Sequence, residues 1–163
     1  MKLVEIERIV LQPNVTSLTI DNIFSADYDD YLIVESYGMG SSPSNQIRVI
    51  DAAGNEDSGS EYQLHQIRSS ASGQLFQRAD GNYVFDFFWK YTGNHHIANI
   101  YRPFSSNHPT TGQVWGIQSA GNSYTDSVMN HDRQTSNRGI KFIQYNTSVY
   151  YNTGTITIYG VAE

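Results

Sequence analysis

The stretch "GTITIYGVAE", Gly154–Glu163, decides the fold class. Along an extended chain Ile156 and Ile158 fall on one side, and Thr155, Thr157 and Tyr159 on the other. That period of two is the pattern of a strand with one face in a core. A strand so close to a chain terminus stays ordered only when it pairs with neighbours in a sheet. The closing strand is therefore expected in the core, with its register fixed, because a slip of one residue would turn both isoleucines to water.

Working outward, strand-like segments recur with turn chemistry between them. They are Leu3–Leu11, Ser17–Ile23 beyond Pro13-Asn14, Tyr31–Tyr37, Gln46–Asp51, Tyr62–Ile67, Tyr83–Trp89, His96–Tyr101, Gln113–Ala120, Gly139–Tyr145 and the closing stretch. A spacing of roughly 8–15 residues is that of an all-β sandwich or barrel. The reading is a single antiparallel β-sandwich domain over residues 1–163, of jelly-roll type, with nine to ten strands and no internal repeat. Only "SEYQLHQIR" (Ser60–Arg68) and "YTDSVMNHDRQ" (Tyr124–Gln134) suit short helices, and neither carries a clean helical stripe. In "YVFDFFW" both faces are largely apolar, which predicts a central strand or one covered by a partner.

Composition narrows function. Charged residues are 16% of the chain and aromatics 13%, including 12 tyrosines, so the surface is polar but weakly charged. A net charge of −6 and the lack of any basic run argue against nucleic acid as a partner. With no cysteine there is no disulfide and no thiolate metal site. No apolar run is long enough to span a membrane, and "MKLVEIERIV" does not read as a signal peptide, which leads to synthesis and folding in a cytoplasm.

Nucleophile elbows, zinc-protease motifs and phosphate loops are absent, so no catalytic residue and no cofactor is expected. His95 and His96 are adjacent and would face opposite ways on a strand, so they cannot chelate together. The acidic loops Asp27–Asp30 and Asp51–Asp57 offer oxygens to calcium, but turn formation accounts for the same residues and neither has the full ligand spacing. The remaining signal is aromatic: Trp89, Tyr91, Tyr101, Trp115 and Tyr124 suit a stacking platform for a sugar ring or a subunit contact. Arg102, Arg133 and Arg138 are candidate interface cations. The loops 38–45, 51–60, 103–112 and 126–138 are where a sandwich would carry function, and Leu3–Leu11 is a candidate edge strand or swapped arm.

Three segments carry a resemblance. "TSLTIDNIFSADYDDYLIVES" (Thr16–Ser36), "IANIYRPFSSNHPTTGQVWG" (Ile97–Gly116) and "GIKFIQYNTSVYYNTGTITIYGV" (Gly139–Val161) come in that order. Together they resemble small virion structural proteins of tailed bacteriophages, of the capsid-decoration (cement) or tail-fibre type. The resemblance runs from about Val15 to Val161 and its motifs are structural. It implies a jelly roll closed by its terminal strand and a non-enzymatic place in the virion. The implied partners are copies of the chain itself, with a trimer favoured, and the major capsid protein. A receptor-binding module for cell-surface glycan on a tail or baseplate is the alternative. Without heptads or a shaft, the chain fits cement better than fibre. The loop Ala52–Gln74 lies outside the resemblance.

Overall fold

A computed structural model describes residues 1–12, 17–39, 44–70, 73–82, 85–89, 94–118, 123–144 and 151–162. Among them are twelve strands: β1 (Lys2–Leu11), β2 (Ser17–Ile20), β3 (Asp30–Met39), β4 (Ser44–Asp51), β5 (Tyr62–Ser70), β6 (Gly73–Asn82), β7 (Phe85–Trp89), β8 (Asn94–Tyr101), β9 (Thr110–Gln118), β10 (Ser123–His131), β11 (Asn137–Gln144) and β12 (Tyr151–Ala162). They form two antiparallel sheets, one ordered β1-β12-β3-β8-β9-β10-β5-β6 and the other β2-β11-β4-β7. The chain is an all-β sandwich of jelly-roll type.

The core follows from alternation. Ile156 and Ile158 are fully buried on β12, opposite Glu35 and Ile33 of β3 on one side and Ile9 and Glu7 of β1 on the other. From the large sheet Tyr31, Ile33, Leu64, Ala98, Ile100, Val114 and Met129 join them; from the small sheet Ile20, Ile47, Val49, Ile140 and Phe142 close the layer. Burying each such side chain contributes about 1.5–3 kcal/mol, so the two inner faces decide which sheet packs on which.

Several expectations are corrected. The two segments that suited helices are strands β5 and β10. Their inward residues include Gln66, whose amide donates to Ser127 Oγ at 3.0 Å. A buried polar pair hides the alternation of hydropathy that marks the other strands. β6, from a segment given no strand in the sequence reading, pairs with β5 and ends the large sheet. Phe85–Trp89 is not central: among the described residues β7 is an edge of the small sheet, paired with β4. Tyr83 and Val84 lie outside the described residues. Asp126–His131 belongs to β10 and not to a loop.

β1 is an edge strand paired within its own chain to β12, from Lys2 opposite Ala162 to Leu11 opposite Gly154. Lys2, Glu5, Glu7 and Arg8 line it, and a bulge interrupts it between Glu5 and Glu7. Charge and a bulge are the usual devices that keep an open edge from pairing with another chain.

Candidate functional site

The connections Asp21–Asp29, Ala52–Glu61, Arg102–Pro109 and Asp132–Ser136 all leave the strands at one end of the sandwich. Backbone hydrogen bonds stitch them together. Arg102 N donates to Asp29 O at 2.7 Å, Asn137 N to Pro103 O at 2.8 Å, Asp132 N to Glu61 O at 3.0 Å, and Ile23 and Phe24 N to Arg138 O at 2.9 and 3.0 Å. Loop ends held by several cross-ties make a firm platform.

Under this end sits a buried polar plug. Asp57 accepts from Gly59 N at 3.0 Å, from His131 Nε2 at 3.0 Å and from Arg133 Nη1 at 2.9 Å. Tyr62 stacks on the His131 ring at 4.7 Å; its hydroxyl donates to Asp57 O and accepts from Val49 N. Burial opposes ionisation of Asp57, but the Gly59 amide, Arg133 and His131 outweigh it and hold the carboxyl below the usual range. Burial pushes the His131 imidazole down, more than Asp57 lifts it.

A buried neutral histidine makes stability pH-dependent, with a sign that follows from linkage. Its folded value is depressed, so its contribution is complete above the ordinary value of 6.5 and is lost as pH falls from there through the folded value. Asp57 behaves likewise but lower, losing its contribution below the ordinary 3.8. The urea midpoint should therefore fall between about pH 7 and about pH 5 in the native chain, and stay flatter there in His131→Phe, which keeps the ring stack. Equal slopes in the two proteins would show that other groups set this limb.

The second element is the outer face of the large sheet. In one register row across β5, β10, β9 and β8 lie Ile67, Asp126, Trp115 and Ile97, with Phe76 of β6 opposite Ile67. Tyr124 and Val128 flank Asp126 on the same face, and Gln113 Nε2 donates to Asp126 Oδ1 at 3.3 Å. Phe76 is 71% exposed, Val128 51%, Ile97 46%, and Ile67 and Tyr124 43% each. Five large apolar side chains left open on contiguous strands form a patch, unlike scattered single exposures.

The third element joins the first two. Tyr101 ends β8 on the outer face, opposite Asp30 and Thr111. Asp30, Tyr101, Arg102, His108, Pro109 and Thr111 bound a cleft of about 370 Å³.

The residues singled out from the sequence thus separate. Tyr101 and Arg102 share the cleft, while Trp115 and Tyr124 share the sheet face. Trp89 lies on β7 in the other sheet, and Tyr91 is outside the described residues. Arg133 and Arg138 each hold a carboxylate within the chain, Arg133 that of Asp57 and Arg138 both oxygens of Asp21 at 2.8 and 2.6 Å, while part of each side chain stays open to solvent. Asp27 is taken up in a local turn with Ser25, and Asp51 caps Asn55. Among the described residues no three acidic or histidine side chains converge as a metal would require. His96 is buried against Glu35, with Nδ1 to Oε2 at 3.3 Å, and His95 is exposed on the opposite face. The sequence offers Asp30 and Asp57 only as calcium oxygens and Arg133 only as an interface cation, and it neither assembles the plug nor places His108 in the cleft. Asp30 and His108 stand in turn-like sequence, and their convergence depends on strand register.

No family model matches the chain, and no curated protein sequence matches it. Among solved structures it is similar to the marine PL-14 alginate lyase from Aplysia kurodai, at 10% identity over 91% of this chain and 81% of that one, with a TM-score of 0.37. It is also similar to β-agarase B from Zobellia galactanivorans, at 9% identity over 88% of this chain and 68% of that one, with a TM-score of 0.27. At these values the likeness concerns sandwich architecture alone.

Proposed function

We propose that this chain is a non-enzymatic structural protein of a tailed-bacteriophage virion, a decoration protein that docks on the outer shell of the head and stabilises capsomer junctions. The observation that carries the reading is the exposed apolar patch on the outer face of the large sheet. The sequence resemblance supplies the setting. From Phe76 to Ile97 the patch crosses four strand spacings, about 19 Å, and from Tyr124 to Val128 it runs about 14 Å along a strand. That is well short of the roughly 800 Å² per partner of a standard interface. One such contact is weak, and firm attachment follows from repetition, as in a trimer that engages several capsid subunits at once.

A second reading, a glycan-binding receptor module on a tail or baseplate, is favoured by Trp115 and Tyr124 standing beside Asp126 and Gln113.

Immunogold labelling of purified particles with antibody to this chain separates the two. Gold over the head supports decoration, gold confined to the tail tip supports the receptor reading, and unlabelled particles overturn both. For decoration, the double variant Phe76→Glu/Val128→Glu should fold normally, because both positions are exposed, yet lose binding to stripped heads by at least about tenfold. Native binding by that variant would remove the sheet face from the argument.

A further inference from the structure

We propose that the cleft formed by Asp30, Tyr101, Arg102, His108, Pro109 and Thr111 is a binding site for a neutral sugar ring. This goes beyond the virion role, because a chain on the head or on the tail would carry the same cleft.

Two opposite charges that face one cleft without closing an ion pair point to the ligand. Four arginines of the chain, Arg8, Arg48, Arg133 and Arg138, each hold a carboxylate: Glu5, Glu56, Asp57 and Asp21 in turn. Arg102 closes no side-chain ion pair or hydrogen bond among the described residues, and neither does Asp30, although both face one cleft. A guanidinium offers only donors and a carboxylate only acceptors. A simple anion entering the cleft would meet Asp30, and a simple cation would meet Arg102. Vicinal hydroxyls of a sugar satisfy both, because each hydroxyl donates and accepts. Tyr101 and Pro109 add ring surfaces suited to the C–H face of a pyranose. The volume of about 370 Å³ lies within the range of small-ligand sites.

The cleft is also built in advance. Arg102 has φ of 52°, a left-handed backbone that arginine adopts at a cost of roughly 1–2 kcal/mol. It is fixed there by its N–H to Asp29 O at 2.7 Å and by Ser105 N to its carbonyl at 3.1 Å. Ser105 Oγ lies 3.1 Å from His108 Nδ1, leaving Nε2 as the ring's other polar atom. Behind it, Asn137 ties the loop at Pro103 O and donates from Nδ2 to Thr110 Oγ1 at 2.8 Å. Burial of Asp30 and the neighbouring Asp29 raise its carboxyl, though Arg102 opposes them, so a hydroxyl donating to it would meet a partly desolvated acceptor.

The test is titration of the isotope-labelled full chain with the methyl glycosides of glucose, galactose and mannose, with N-acetylglucosamine, and with galacturonate as the charged counterpart. At least one neutral sugar should give saturable amide shifts centred on Tyr101, Arg102, His108 and Thr111. Asp30→Asn and Arg102→Gly should each weaken binding by about tenfold to a hundredfold, the range for a hydrogen bond to a charged group. Arg102→Gly keeps the fold, since glycine adopts φ of 52° freely. Three results would overturn the proposal: no saturable shift with any neutral sugar up to tens of millimolar; tighter binding of galacturonate than of the galactoside; or shifts centred on Trp115 and indifferent to Asp30→Asn. The last would leave the sheet-face glycan reading standing, so the two can fail separately.

Discussion

Replacing Gly139 by alanine should destabilise the protein by about 3 kcal/mol or more, the scale of strain that packed neighbours cannot relax. Gly139 sits at the bulge where β11 changes register against β4, with β2 on its other side. A Cβ built there would lie 2.4 Å from the Ile20 carbonyl oxygen and 2.9 Å from Asp21 Cα. Both are backbone atoms, which cannot rotate aside as a side chain does. To make room, β2 would have to move off β11. Arg138 prevents that cheaply, because its carbonyl accepts from Ile23 and Phe24 and its guanidinium grips Asp21. Gly112→Ala is the comparison. Its new methyl would meet Met129 Cε at 2.9 Å, the end of a flexible side chain, with the Asn99 carbonyl at a more tolerable 3.1 Å. Urea unfolding of the two variants should show the larger fall in midpoint for Gly139→Ala. Equal midpoints would mean that β2 is not pinned where the hydrogen bonds place it.

Asp57→Ala should cost about 2–4 kcal/mol, the scale of leaving two buried donors without an acceptor. Asp57 is 5% exposed and serves three donors: the Gly59 amide of its own loop, and the His131 ring and Arg133 guanidinium where β10 ends. Alanine leaves the Gly59 amide and the buried His131 ring without their acceptor, while the half-exposed Arg133 turns to solvent. Asp57→Asn keeps the shape and one acceptor oxygen but turns an NH₂ toward donors, so an intermediate loss is expected. Thermal unfolding at neutral pH orders the three proteins. The alanine variant should also lose the acid limb of stability that the native chain shows below the ordinary aspartate value of 3.8. Native-like stability of Asp57→Ala would mean that the plug is solvated and adds nothing to the fold.

How far the sequence reveals this fold depends on which face a strand buries. β12 is legible because Ile156 and Ile158 alternate with threonines. β10 is not, because its inward residues Ser127, Met129 and His131 mix polar with apolar while its outward residues include Tyr124 and Val128. Hydropathy alternates only where the core is oily, and here part of the inner layer is made of hydrogen-bonded pairs. The site is hidden for a related reason. Asp57 meets Arg133 across 76 positions of sequence, and Asp21 meets Arg138 across 117. Short-range pattern carries no trace of such pairings, so Arg133 and Arg138 look free when they are not. Arg102 and Tyr101 are legible as a strand end running into Pro103; that Asp30 joins them is a matter of register.

The register of β1 on β12 has a practical bearing. Lys2 lies opposite Ala162, and Val161 opposite Asp30, so both extremities of the described chain emerge at the end that bears the cleft. A purification handle or fluorescent fusion joined at either extremity would shade that cleft. Immobilising the protein by such a handle would press its binding end toward the sensor and make a real ligand look weak. A label carried on the exposed side chain of Val10, at the opposite end of β1, would leave the cleft open to solution.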